Sequence, residues 1–400
     1  DKKIITKLTV FVAAFTALTA ASLYSYILFT NKDSSRSEEL TDEGVSIDQP
    51  EHIDIDVQED SKPPIDYKIA QLCDIEDVPL YLEQAPHSEK LKQLLVPVTS
   101  PSKYQQYKSK LVGYGGYVLV DTQKQYSSES EIKGDIAVLA DYKIDPLIGL
   151  DAEGGAVQRF SWHYLESVRE LNVSNDKLCS AIDEDLRYIQ SLGVNWNLSP
   201  ILDVPSENTD WIYPRTIGDS TAEIASTGAT LIGCHEELGL LTSAKHFPGH
   251  GGTTVNSHLS IPTLNMDKSE WIRVNKPPYE AAIEADASTI MLGHLLYSNI
   301  DSEISSSSDY WINDVLRNEL GFEGLIVTDD LIMLMPVDSK DCANNISNSL
   351  NSGASLVLFS VGSKCEPEQV LEELNIDASI VDREVERVIK TKQKYLCLTE

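Results

Sequence analysis

Gly321-Phe-Glu-Gly-Leu-Ile-Val-Thr-Asp-Asp-Leu-Ile-Met333 runs an apolar, β-branched stretch straight into two adjacent carboxylates. A strand buried on both faces reads as such an unbroken run, whereas a half-exposed strand alternates. Strands of this kind belong mainly to parallel sheets covered by helices. In a barrel, Asp329 would fall at the C-terminal end of its strand, where (β/α)8 enzymes build their active sites. Asp-Asp after a strand also caps helices, so this stretch alone leaves both readings open.

The same signature recurs along the chain. Candidate strands are Leu94 to Val98, Gly116 to Val120, Pro146 to Asp151, Val194 to Ser199, Leu241 to His246, Ala287 to Leu292, Gly324 to Asp329 and Ser355 to Ser360. Helical spacing lies between most of them, as in Asn175 to Leu192, Thr221 to Leu238, and Tyr310 to Leu320 with Ser308 or Asp309 as its cap. Eight alternations over roughly 300 residues predict a TIM-type (β/α)8 barrel in preference to an open doubly wound sheet. No Gly-x-Gly-x-x-Gly or phosphate loop follows these strands, so the sequence supports neither dinucleotide nor ATP chemistry and no cofactor is expected.

A barrel enzyme should carry polar groups at several strand ends, and this chain does. The third strand runs into Asp151-Ala-Glu-Gly-Gly-Ala-Val-Gln-Arg159; Asp203 and Arg215 come next, then Lys245 and His246, His294, and Asp329. Lys245-His-Phe-Pro-Gly-His-Gly-Gly-Thr-Thr-Val-Asn-Ser-His258 packs three histidines and a lysine into a stretch too rich in glycine for a helix. A Gly/Pro-rich loop directly after an apolar run places side chains at the mouth of a fold. Zinc ligation by His246, His250 and His258 with Asp151 is an alternative, disfavoured because Pro248 and Gly249 interrupt any helical i, i+4 pairing of imidazoles. No metal is expected.

The 400 residues carry a formal charge of -31, which argues against a nucleic-acid partner, since phosphate binding needs a basic face. Leu8 to Phe29 contains no charged residue, and as a helix would span about 33 Å, enough for a bilayer. Lys2, Lys3 and Lys7 precede it and acidic residues follow, an order that predicts a single-pass anchor with the remainder outside the cytoplasm. A cleavable signal peptide is the alternative. The expected organisation is an anchor or signal segment over 1–32, an acidic disordered linker over 33–66, and a single catalytic domain over 67–400. Cys73, Cys179, Cys234, Cys342, Cys365 and Cys397 include no Cys-x-x-Cys pair. They read by default as single buried thiols, and any pairing in an oxidising compartment is not legible. Of the sequons at Asn172, Asn197 and Asn345, the second sits at a predicted strand end, where glycosylation is not expected.

The blocks Leu147 to Phe160, Asn197-Leu-Ser-Pro-Ile-Leu-Asp-Val204, Pro214-Arg-Thr-Ile-Gly218, Lys245 to Gly251 with Ser257-His258, and Gly321 to Met333 resemble, in order, those of bacterial β-N-acetylhexosaminidases of glycoside hydrolase family 3. The resemblance covers about Leu94 to Tyr395. It implies a retaining, exo-acting enzyme that removes terminal β-linked N-acetylglucosamine from peptidoglycan fragments or chitooligosaccharides. It further implies Asp329 as nucleophile with Asp330 in support, His258 as acid/base, and Asp151, Arg159, Arg215, Lys245 and His246 as groups that hold the sugar. The acid/base histidine of this subfamily is paired with an aspartate two residues earlier, and here that position is Asn256. An aspartate about 4 Å from the ring would stabilise the imidazolium by roughly 1 to 4 kcal/mol, whereas asparagine supplies only a dipole, whose carbonyl could still hold the Nδ1 proton. The alternatives are therefore a weakened or inactive glycan binder, a β-glucosidase and a phosphorolytic relative.

Overall fold

The apolar runs become strands buried along almost their whole length. These are β1 (Leu95–Thr99), β2 (Gly116–Leu119), β3 (Leu147–Leu150), β4 (Trp196–Asn197), β5 (Leu241–Phe247), β6 (Thr289–Leu292), β7 (Leu325–Thr328) and β8 (Val357–Ser360). The computed structural model describes residues 72–397 apart from 76, 101–105, 120–125, 141, 143, 209, 335–341 and 363. All eight strands share one parallel sheet in the order β8-β1-β2-β3-β4-β5-β6-β7. The last seam is joined where Val327 bridges Leu356 and the Ser355 and Leu356 N–H groups donate to Ile326 O at 2.7 and 3.1 Å. The result is the expected TIM-type barrel.

Strand ends differ from the sequence reading where local chemistry competes with the ladder. β4 keeps only two ladder residues of the expected Val194 to Ser199. The Asn195 side chain takes the Ile148 N–H at 2.7 Å, and Pro200 has no N–H to offer. The Lys245–His246 and Phe247–Pro248 peptides at the mouth of β5 are both cis.

Helices α1 (Glu129–Leu139), α2 (Asn175–Ser191), α3 (Thr221–Glu236), α4 (Lys276–Glu284), α5 (Tyr310–Glu319), α6 (Cys342–Asn351) and α7 (Ala378–Leu396) cover the strands. In α2 the buried residues Leu178, Ile182, Leu186 and Ile189 recur at the helical period, which is why a chain segment with many charges still folds as a helix. Ser220 Oγ accepts from Glu223 N at 3.3 Å to start α3, and Ser308 Oγ accepts from Trp311 N at 3.1 Å to start α5. The turns of α5 are wide, with Leu320 N bonded to Val315 O at 2.8 Å.

The cysteines correct the sequence reading. Cys73–Cys397, Cys179–Cys234 and Cys342–Cys365 are disulfides, with Cα separations of 5.4, 5.1 and 5.5 Å. The fold brings together thiols 324, 55 and 23 residues apart, and no local spacing could have signalled this. Asn197 is buried, its side chain shared between Ala152 N at 3.1 Å and His235 Nε2 at 2.9 Å. The anticipated anchor over 1–32 and linker over 33–66 lie outside the described residues. No helix among the described residues is long and apolar enough to cross a membrane.

Candidate active site

Asp151 follows directly on β3, and Lys245 reaches it from β5 at 2.7 Å while Arg159 binds its other oxygen at 2.6 Å. Glu153, two residues on, accepts from Lys245 at 2.6 Å and from Arg215 Nε and NH2 at 2.9 and 2.7 Å. Two carboxylates and three cations thus form one wall across the mouths of β3 and β5. The Lys245 and Glu153 side chains are 2% and 4% exposed, so each charge depends on its partners and not on water. Burial pushes the Asp151 carboxyl up, but Lys245, Arg159 and Arg215 outweigh it and hold it well below the usual range. The same opposition, with Arg215 and Lys245 prevailing, brings Glu153 down to about 2. Both remain ionised at neutral pH, and the wall can exchange hydrogen bonds with the hydroxyls of a neutral sugar.

Asp203, fully buried, organises the next sector. Its Oδ2 lies 2.7 Å from His246 Nδ1, and its Oδ1 accepts the His246 and His250 backbone N–H groups at 3.1 and 2.6 Å. With Nδ1–H donated to the carboxylate, Nε2 of His246 has no hydrogen-bond partner among the described residues. His294 is held by Ser306 Oγ at 2.8 Å from Nδ1 and by the Asp330 carbonyl at 3.1 Å from Nε2. A carbonyl accepts only, so Nε2 carries the proton, and burial lowers the pKa of this imidazole.

Asp329 leaves β7 with its own N–H bonded to Leu292 O at 2.9 Å, and its Oδ1 accepts the Asp330 N–H at 2.7 Å. Burial raises its carboxyl, but His246, His294, that N–H and His258 together bring it below the ordinary value. Asp330 goes the other way. Burial raises it, and its oxygens are spent on Ser360 Oγ at 2.5 Å, Ser360 N at 2.9 Å and Ile332 N at 3.1 Å. Of the adjacent carboxylates, Asp330 therefore fastens β7 to β8 with its oxygens engaged, while Asp329, held below the ordinary value, keeps an oxygen that accepts no hydrogen bond from the described residues. The capping reading also holds in part, because Asp330 Oδ1 accepts the Ile332 N–H at 3.1 Å at the start of the short 3-10 helix Leu331–Leu334.

His258 stands exposed on the loop after β5. Asn256 Oδ1 accepts the backbone N–H of His258 at 2.9 Å, and its carbonyl accepts from Leu259 and Ser260 at 2.9 and 3.3 Å. Asn256 therefore closes a turn. This corrects the expectation that its carbonyl holds the His258 ring, because the nearer backbone donor takes it. The zinc arrangement is not assembled: Asp203 engages His246, cations engage Asp151, and no group of three or more metal-type ligands occurs among the described residues.

The structure thus brings Asp151, Arg159, Arg215, Lys245, His246 and Asp329 to one end of the barrel, with His258 on an adjoining loop and Asn256 engaged in its turn. Glu153 and Trp211 were missed. Glu153 could have been found as the only other carboxylate in its Gly-rich loop. Trp211 sits in a loop of no periodicity and gave no signal, yet its ring lies 5.4 Å from that of His250 and 5.7 Å from that of His258.

A closed parallel barrel with an ionised carboxylate and an ion-paired wall at its C-terminal mouth has the arrangement of a (β/α)8 enzyme's active site. The sequence matches the glycosyl hydrolase family 3 N-terminal domain over residues 87–391, and the chain belongs to that family. It is 28% identical over 253 residues to a β-hexosaminidase of Methylococcus capsulatus, covering 61% of this chain and 75% of that protein. It is 30% identical over 220 residues to a β-hexosaminidase of Idiomarina loihiensis, covering 53% of this chain and 66% of that one. Among solved structures, a family 3 β-N-acetylglucosaminidase from Paenibacillus superposes with a TM-score of 0.69 at 22% identity, covering 78% of this chain. This chain spans 63% of that structure's length.

Proposed function

We propose that this chain is a retaining exo-β-N-acetylglucosaminidase that removes terminal β-linked N-acetylglucosamine from peptidoglycan fragments or chitooligosaccharides. The observation that carries the reading is Asp329, ionised among His246, His294 and His258 and facing the same barrel mouth as the Asp151–Lys245–Glu153–Arg215 wall. The wall holds hydroxyls of the terminal sugar. Asp329 attacks the anomeric carbon, and His258 protonates the departing oxygen, so that a covalent glycosyl-enzyme forms. Deprotonated His258 then takes a proton from water, which opens the intermediate on the same face and retains configuration. An imidazole suits both turns because its ordinary pKa of about 6.5 lies near neutral pH.

We place the catalytic domain, over 67–400, outside the cytoplasm, with 1–32 as membrane anchor and 33–66 as acidic linker. Three disulfides support that compartment, since they persist in oxidising surroundings. The test of the activity is release of nitrophenol from an aryl β-N-acetylglucosaminide against the corresponding glucoside. Preference for the acetamido sugar is expected, and equal or reversed preference would replace this reading with a β-glucosidase.

A further inference from the structure

We infer that Trp211 is the positioning residue of the His258 imidazole, doing by aromatic contact what Asn256 does not do by hydrogen bonding. The inference rests on the reading of His258 as general acid/base. Two hydrogen bonds join the Trp211 segment to the histidine loop, and a third, from Ser206 N, fixes the Asp210 carboxylate within its own segment. Asp210 Oδ2 accepts from Ser206 N at 2.7 Å and from Gly252 N at 2.9 Å, and Trp211 N donates to Thr253 O at 3.2 Å. The Trp211 ring then meets His258 at 5.7 Å between centroids with the planes 66° apart, and His250 at 5.4 Å and 40°. The fit is close enough that a Cβ on Gly251 would lie 1.7 Å from Val204 O, so any side chain there would push the loop off its support.

The His258 ring has no hydrogen-bond partner among the described residues, and the Asn256 side-chain oxygen is committed to the turn. What remains to fix the imidazole plane is the indole. This edge contact sets the plane of the imidazole without engaging a ring nitrogen, and so without competing for the proton that the acid must deliver. Arg215 packs against the same ring, its Cζ 5.7 Å from the centroid, and its salt bridge to Glu153 ties the indole to the sugar-holding wall. Trp211 thereby connects the sugar wall to the loop that carries the acid.

Leaving-group dependence tests this, because a poor leaving group needs its proton and a dinitrophenolate does not. The measurement is kcat/KM for diacetylchitobiose and for dinitrophenyl β-N-acetylglucosaminide in the parent, Trp211→Ala, Trp211→Leu, Trp211→Phe and His258→Ala. Trp211→Ala should lose roughly 10- to 100-fold on the disaccharide and less than about threefold on the aryl glycoside, with Trp211→Phe near the parent on both. His258→Ala should show the same skew, larger. Equal loss of Trp211→Ala on both substrates, or no loss, overturns the inference while leaving His258 as the acid. No skew in His258→Ala overturns the acid/base reading and this inference together. If the alanine variant does not fold, the contrast between Trp211→Leu and Trp211→Phe decides in the same way.

Discussion

Replacing Lys245 by methionine removes the cation that bridges Asp151 and Glu153 while keeping most of the side-chain volume. Lys245 donates to Asp151 at 2.7 Å and to Glu153 at 2.6 Å from a position 2% exposed, so no water can take its place without repacking. Stranding one partner of a buried pair costs about 3 to 5 kcal/mol, an upper bound here because Arg215 still holds Glu153 and Arg159 still holds Asp151. The depression of Glu153 from 4.5 to about 2 corresponds to about 3 kcal/mol by linkage, supplied by Arg215 first and Lys245 second, which bounds the Lys245 share from above. The sign follows from a depressed carboxylate: its contribution is complete above the unfolded value of 4.5 and drains away as pH falls toward 2. The parent should therefore lose roughly 2 kcal/mol of this contribution between pH 7 and pH 3, and the methionine variant, which keeps only the Arg215 pair, should lose less. Urea unfolding with disulfides intact, at both pH values and fixed ionic strength, measures the difference. A penalty below about 1 kcal/mol at pH 7, or one that does not shrink at pH 3, would refute the claim that Lys245 holds the wall together.

Two other changes have definite expectations. Asn256→Asp adds a negative charge beside the His258 turn, so the alkaline limb of kcat/KM should move up by about half to one pH unit, with higher turnover on natural glycans. A pH–rate profile checks this, and an unmoved limb would mean the dyad position is silent here. The double variant Cys179→Ala with Cys234→Ala opens a 55-residue loop between α2 and α3, and should lower stability by about 4 kcal/mol on a chain-entropy basis, read by denaturant midpoint at constant slope.

The barrel was legible because parallel strands buried on both faces leave unbroken apolar runs, and because α2 shows its buried stripe in sequence. The runs Leu241 to His246 and Gly324 to Asp329 lie within a residue or two of β5 and β7. Site residues at strand ends were legible for the same reason, since a strand's end dictates where the next polar side chain must stand. What was hidden depends on contacts between distant segments. Glu153 looks like loop filler until Lys245 and Arg215 arrive from elsewhere in the barrel. The role of Asn256 turns on a backbone N–H two residues away, a choice between two donors that composition does not decide. Trp211 meets His258 only through the folding of two irregular loops. The disulfides join thiols that the barrel brings together, including Cys73 and Cys397 from opposite ends of the described chain.

The central claim is that Asp329, and not its neighbour Asp330, becomes covalently attached to the sugar. Incubation of the enzyme with a slow fluorinated aryl glycoside of N-acetylglucosamine, acid quench and mass spectrometry of the peptide containing Gly321 to Met333 tests it directly. The account predicts one glycosyl adduct on Asp329, absent in Asp329→Asn. An adduct on Asp330 or outside this peptide, or turnover in Asp329→Asn close to that of the parent, would contradict it.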